Sequence, residues 1–270
     1  MEVLDKIVKS LEVLREQCPL IHHITNQVTI NDCANITLAI GASPVMTSDP
    51  REVVEMVAHA GALVLNIGTL HEQSVTAMLA AGKAAANLGI PIVLDPVGVG
   101  ATKLRTQVAQ ELLQELPITI IRGNLGEIMC LTKQTTAMKG VDSQTTITIT
   151  PELACHAAKS LGTVVAITGK IDAISDGEET ILLGNGHEML TKVTGTGCMT
   201  TSLIASFAAV TTPLLAAVSG ITAMGLAGER AASDLPYDKG IGTFRVNLFD
   251  RIYLLTGETI RTAGRVLYHG

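Results

Sequence analysis

Short, uniformly apolar runs alternate along this chain with longer stretches whose apolar positions repeat at helical spacing. The short runs are Leu20–His23, Pro44–Met46, Leu63–Ile67, Pro91–Leu94, Ile118–Ile121 and Val164–Ile167. They lack the in/out alternation of a half-exposed sheet, so the pattern predicts strands buried on both faces. Helical patterns fill the gaps over Thr29–Ile40, Arg51–Ala60, Glu72–Leu88, Lys103–Leu116, Asn124–Leu131 and Pro151–Leu161. This rhythm predicts a doubly wound α/β fold with right-handed crossovers. Ile171–Ser175 and Thr180–Leu183 flank Asp176-Gly177 and read as an antiparallel hairpin at a sheet edge. Met1–Gln17 is an amphipathic helix with seven charged residues rather than a signal peptide. The C-terminal Gly242–Leu267 reads as helical.

From Val193 to Gly228 no residue is charged. That run is long enough for a bilayer, which needs roughly 20 residues. Thr211-Thr212-Pro213 interrupts it, so two helices buried in a large core are the better reading. No linker or internal repeat divides the chain, and a single domain over residues 1–270 is predicted.

Composition narrows the chemistry. Net charge is −6 with no Lys/Arg block, and aromatic residues are only 2%. Both argue against nucleic acid as a partner. The five cysteines are scattered and form no C-x-x-C. Free thiols in a reducing cytoplasm explain them better than disulfides or zinc.

In open α/β sheets, ligands bind beyond the carboxyl ends of the strands. Read there, the sequence offers Gly68-Thr69, Asp95-Pro96-Val97-Gly98, Arg122-Gly123-Asn124 followed by Glu127, and Thr168-Gly169-Lys170. Asn124 and Glu127 have the spacing of an ordinary capping box. Asp95 at a neighbouring strand end changes that picture, because two carboxylates with waters and phosphate oxygens suit Mg²⁺. Arg122 has the planar fork for phosphate oxygens, or else makes a surface salt bridge. Thr194-Gly195-Thr196-Gly197-Cys198 opens a helix, with backbone donors free to hold an anion. At that position Cys198 is expected to have a lowered pKa and to take a proton from a substrate alcohol, unless it is simply a small core residue. A metal role for His22-His23 is disfavoured, because adjacent strand residues point to opposite faces. No Walker A motif is present, and Gly98-Val99-Gly100-Ala101-Thr102-Lys103 is a poor dinucleotide fingerprint.

The segments His22-His23-Ile24-Thr25-Asn26, Gly41–Met46, Leu65–Leu70, Leu94–Ala101, Arg122-Gly123-Asn124-x-x-Glu127 and Thr194–Cys198 together resemble the hydroxyethylthiazole kinases of the ribokinase-like superfamily. The resemblance implies a three-layer α/β/α sandwich with a mostly parallel central sheet. It also implies ATP- and Mg²⁺-dependent phosphorylation of the hydroxyl of 4-methyl-5-(2-hydroxyethyl)thiazole. Arg122 and Thr168 correspond to ATP contacts, with Asn124 and Gly197 beside them, and Asp95 and Glu127 to the magnesium-linked acids. Asn26, Met46, Gly68 and Gly195 match thiazole-site positions, and Cys198 the residue facing the reacting hydroxyl. Most ribokinase-like kinases resemble one another in an Asp at the place of Cys198. The resemblance further implies a homotrimer with the thiazole site between subunits. A different alcohol as substrate, or a nucleotide-binding regulator without turnover, remain the rival readings.

Overall fold

The computed structural model describes residues 2–133, 149–237 and 240–270. Its described strands form one sheet in the order β2-β1-β3-β4-β5-β6-β7-β8-β9. These are β1 (Leu20–Ile24), β2 (Ser43–Val45), β3 (Ala62–Asn66), β4 (Ile92–Asp95), β5 (Ile120–Asn124), β6 (Val164–Thr168), β7 (Asp172–Ser175), β8 (Thr180–Leu183) and β9 (Val266–His269). Pairings from β2 to β6 are parallel, and those from β6 to β9 antiparallel.

Helices cover both faces. One layer holds α1 (Glu2–Gln17), α2 (Ile30–Ile40), α8 (Thr196–Ala208), α9 (Pro213–Ser233), α10 (Ile241–Tyr253) and α11 (Gly257–Ala263). The other holds α3 (Val53–Val57), α4 (Glu72–Leu88), α5 (Lys103–Glu115), α6 (Leu125–Leu131) and α7 (Pro151–Leu161). Strand periodicity divides the sheet between them: Ala62 and Val64 pack into the first layer, Leu63 and Leu65 into the second. That double burial is why the strands read as unbroken apolar runs.

The uncharged run folds as α8 and α9, with Pro213 opening the second. Nearly every side chain of α8 is buried, which accounts for its apolar character all round. Among the described residues no helix is long and apolar enough to cross a membrane.

Three expectations need correction. Arg51–Ala60 is helical only over Val53–Val57. The strand predicted at Ile118–Ile121 lies at Ile120–Asn124, which carries Arg122 inside it. Gly242–Leu267 is not one helix: α10 ends at Tyr253, Thr256 caps α11, and Val266–His269 is a strand. A Cβ at Gly264 would come within 2.6 Å of the Ile260 carbonyl oxygen, so close approach of the backbone ends α11 there. β9, not the β7–β8 hairpin, therefore forms the sheet edge.

Candidate active site

β1 lies between β2 and β3, so the chain runs from β1 to one side and then crosses back past it to the other. Such a switch point opens a crevice beyond the strand ends. Asn26, two residues past β1, crosses it: its Nδ2 donates to Asn66 Oδ1 at 3.0 Å. Asn66 closes β3 and is the register partner of Asp95, which closes β4. Asn26, Asn66 and Asp95 thus form a row along one edge of the sheet.

α8 points its N-terminus at this row. Gly195 is its N-cap in the left-handed conformation, with φ 86°, and no side chain caps the helix. The first amides of α8 therefore remain open to a ligand. The loop is packed tightly enough to demand its glycines. A Cβ on Gly195 would sit 2.4 Å from Thr29 Cγ2, and one on Gly197 would sit 2.4 Å from Arg122 Nη1. At Gly68 it would meet the Asn26 side chain at 2.8 Å.

Cys198, in the first turn of α8, is half-buried. Its Sγ accepts from Asn66 Nδ2 at 3.2 Å and from Asn26 Nδ2 at 3.3 Å. Burial and the neighbouring Asp95 nevertheless push the thiol above its ordinary value, while Thr29, Asn66 and Asn26 pull the other way. The lowering expected from the helix N-terminus is thus outweighed. Sequence shows the helix start but not the depth of the site, and burial penalises the thiolate.

Asp95 is fully buried. Its Oδ2 accepts from Asn66 Nδ2 at 2.8 Å and Thr201 Oγ1 at 2.9 Å. Its Oδ1 has no hydrogen-bond partner, and neither has Arg122 Nε. Burial, then Glu127, raise the Asp95 pKa, and Arg122 opposes them. Arg122 donates through Nη2 to Thr168 Oγ1 at 2.6 Å. The two side chains approach at 3.8 Å, between Arg122 Nη1 and Asp95 Oδ1, and each holds a buried polar atom at a cost that a partner would relieve.

Glu127 does what the blander reading predicted: its Oε2 accepts from Asn124 N at 2.9 Å and completes a capping box. Its Oε1 also takes Gly98 N–H at 2.8 Å, tying α6 to the loop after β4. Each oxygen keeps a further lone pair. Among the described residues no three acids, histidines or cysteines converge on a ready-made metal cage. The donor set of Asp95 and Glu127 does fit Mg²⁺, which holds few protein ligands and keeps its waters.

Arg122, Thr168 and Gly197 share a cleft of ≈ 690 Å³ with Lys170, Asp172, Leu190, Ile221 and Met224. That size suits a nucleotide, since ligand pockets run to about 300–1,000 Å³. Asn124 does not line it; its side-chain oxygen is taken by the cap, accepting from Glu127 N at 3.0 Å. Met46, just past β2, is half-buried on the far side of β1 from β3.

His23 belongs to the core. Its Nδ1 donates to the Ile21 carbonyl at 3.1 Å, and burial pushes its pKa down to about 4. His22 meets Thr47 instead. Sequence reasoning gave no role to Asn66, Thr201 or Asp172. Two of them carried a signal: Asn66 is a polar end to an apolar strand, and Thr201 follows Cys198 by three residues, hence on the same helix face.

The chain matches the hydroxyethylthiazole kinase family over residues 11–258. It belongs to that family. It is 51% identical to the hydroxyethylthiazole kinase of Thermoanaerobacter pseudethanolicus, covering 96% of this chain and 98% of the relative. Identity with the enzyme of Alkaliphilus metalliredigens is 50%, over 97% and 96% of the two chains. The solved structure of the Pyrococcus horikoshii hydroxyethylthiazole kinase protein superposes with TM-score 0.89 at 41% identity, covering 98% of this chain and 99% of that one. A ribokinase-like superfamily protein of Enterococcus faecalis shares the fold at TM-score 0.62 and 12% identity, over 86% of each chain. The fold is thus the ribokinase-like α/β sandwich, and the chain is a kinase of the family it matches.

Proposed function

We propose that this chain transfers the γ-phosphoryl group of ATP to the hydroxyl of 4-methyl-5-(2-hydroxyethyl)thiazole, a step of thiamine biosynthesis. The supporting observation is the packing of Arg122 against Gly197, beside an Asp95 oxygen that lacks a partner. Arg122 and the amides of Gly197 and Cys198 hold the migrating group from two sides. Fixed donors of this kind stabilise charge as it develops, and in phosphoryl transfer such positioning outweighs base catalysis. Mg²⁺, held by Asp95 and Glu127 through its waters, would neutralise phosphate charge.

ATP occupies the cleft beside β6, its phosphates toward Arg122, Thr168 and Gly197 and its base against Leu190, Ile221 and Met224. The thiazole lies at the switch-point crevice near Asn26, Gly68, Gly195 and Met46, with its hydroxyl at Cys198 Sγ. A thiol raised by burial is mostly protonated at neutral pH, so Cys198 chiefly orients the hydroxyl by hydrogen bonding. Proton removal comes late in a loose transition state.

The working enzyme is a cytoplasmic homotrimer of single-domain subunits, with the thiazole site completed by a neighbouring copy. Val28, 68% exposed, and Ile30, 37% exposed, support this, since both are apolar and flank the site residue Thr29. The test is ADP formation by the purified chain with ATP and Mg²⁺, comparing hydroxyethylthiazole, pyridoxal and a hydroxymethylpyrimidine. Turnover highest with the thiazole is expected. No ADP with any alcohol would favour a nucleotide-binding regulator instead.

A further inference from the structure

Asn66 is 2% exposed and every hydrogen-bonding position of its amide is filled. Its Nδ2 donates to Asp95 Oδ2 at 2.8 Å and to Cys198 Sγ at 3.2 Å. Its Oδ1 accepts from Gly68 N at 2.9 Å and Asn26 Nδ2 at 3.0 Å. The amide has one possible orientation. Gly68 N–H can only donate, so Oδ1 must face it, which turns the amino group toward the carboxylate and the sulfur. Asn26 is fixed in the same way, because its Oδ1 accepts from Val28 N at 3.1 Å and Thr29 N at 3.0 Å. Two locked amides thus deliver N–H groups to one sulfur.

One nitrogen therefore ties the thiol at the acceptor end of the site to the acid at the cation end. We propose that Asn66 is a positioning residue, holding Cys198 Sγ and Asp95 in one fixed relation so that the acceptor hydroxyl stays in line with the migrating phosphoryl group. This rests on the reading of Cys198 as the residue that faces the hydroxyl. Without Asn66, Asp95 Oδ2 keeps only Thr201, and the sulfur keeps only Asn26 among its amide donors. The ionisable groups near Sγ are Asp95 from β4 and Cys33 from α2. Asp95 disfavours the Cys198 thiolate, and Cys33, its own thiol pushed up to about 12, stays neutral, so neither compensates the loss of a donor.

The experiment uses full-length Asn66→Ala, with two readouts. Steady-state kinetics with ATP, Mg²⁺ and hydroxyethylthiazole should show kcat lowered about ten-fold or more, with the KM for ATP within about three-fold, as loss of charge-assisted hydrogen bonds predicts. The pH dependence of Cys198 alkylation by iodoacetamide, followed on its peptide by mass spectrometry, should move to higher pH. In a Cys198→Ala background the same substitution should cost less in kcat than in the wild type, because interacting residues are non-additive. An unchanged alkylation profile, or strictly additive kcat losses, overturns the proposal. Asn66→Ser, too short to reach both partners, replaces Asn66→Ala if the latter does not fold. If neither variant folds, Asn66 is part of the scaffold and the proposal falls. Wild-type protein inactive on the thiazole would refute the substrate assignment while leaving the alkylation readout intact.

Discussion

Arg122 Nη1 stands 3.8 Å from Asp95 Oδ1, too far for a hydrogen bond, and the Asp95 oxygen has no other hydrogen-bond partner. The guanidinium is close enough to favour the ionised form of Asp95 against the burial that opposes it. Arg122→Gln should lower kcat/KM for ATP by about ten-fold to a hundred-fold, the worth of one or two charge-assisted hydrogen bonds. Arg122→Lys should not restore it, because the fork that also engages Thr168 is lost. Steady-state kinetics with ATP as the varied substrate measures both.

Gly197→Ala separates binding from folding. The new methyl group would meet only the end of a flexible side chain, Arg122 Nη1 at 2.4 Å, so the guanidinium must move while the backbone need not. The KM for ATP should rise with Tm unchanged or slightly higher. Gly195→Ala should lower Tm, since φ is 86° and Thr29 blocks the methyl. Thermal unfolding of both variants distinguishes the cases.

Cys198→Asp should remain active, because Asn26 and Asn66 present N–H donors that serve a carboxylate as well as a sulfur. Cys198→Ala should cost less than the roughly 10²–10⁴-fold typical of losing a general base, since the buried thiol is largely protonated. A folded but inactive Cys198→Asp would show that the thiol does something a carboxylate cannot.

Much of this site is legible in the sequence, because strand ends in a parallel sheet converge. Asp95, Arg122 and Thr168 are found by reading past each apolar run, and the Gly195–Cys198 turn by its glycines at the start of a helix. The electrostatics are less legible. The raised Cys198 pKa depends on burial and on the charge of Asp95, and no local pattern records that Asn66 brings residues 95 and 198 together. Asn124 shows how a strand end can serve the scaffold: its side-chain oxygen accepts from Glu127 N and caps α6. β9 is not legible in the sequence because its four residues carry little periodicity, and only pairing with β8 makes them a strand.

The two acids should behave differently. Asp95→Asn and Glu127→Gln should both raise the Mg²⁺ concentration needed for half-maximal rate. Glu127→Ala should in addition destabilise the fold by about 1–3 kcal/mol, the cost of leaving Asn124 N–H and Gly98 N–H without their acceptor. Mg²⁺ titrations identical to wild type in both acid variants would remove the metal assignment.

Asp172 lines the cleft it shares with Arg122 and Thr168, and burial pushes its pKa up from 3.8 to about 7. A raised folded-state pKa means the folded chain binds the proton more tightly than the unfolded one. Its contribution to stability is present below about pH 4 and is lost as pH rises through about 7. Asp172→Asn keeps an oxygen for Gly169 N–H and cannot ionise. Relative to wild type it should therefore be more stable at pH 8 than at pH 4, as chemical denaturation at the two pH values would show.

The most direct measurement is a crystal structure with a non-hydrolysable ATP analogue, Mg²⁺ and hydroxyethylthiazole. The account predicts the terminal phosphate between Arg122 and the Gly197 and Cys198 amides, with the thiazole hydroxyl at Cys198 Sγ. A terminal phosphate bound away from Arg122 and Gly197 would contradict it.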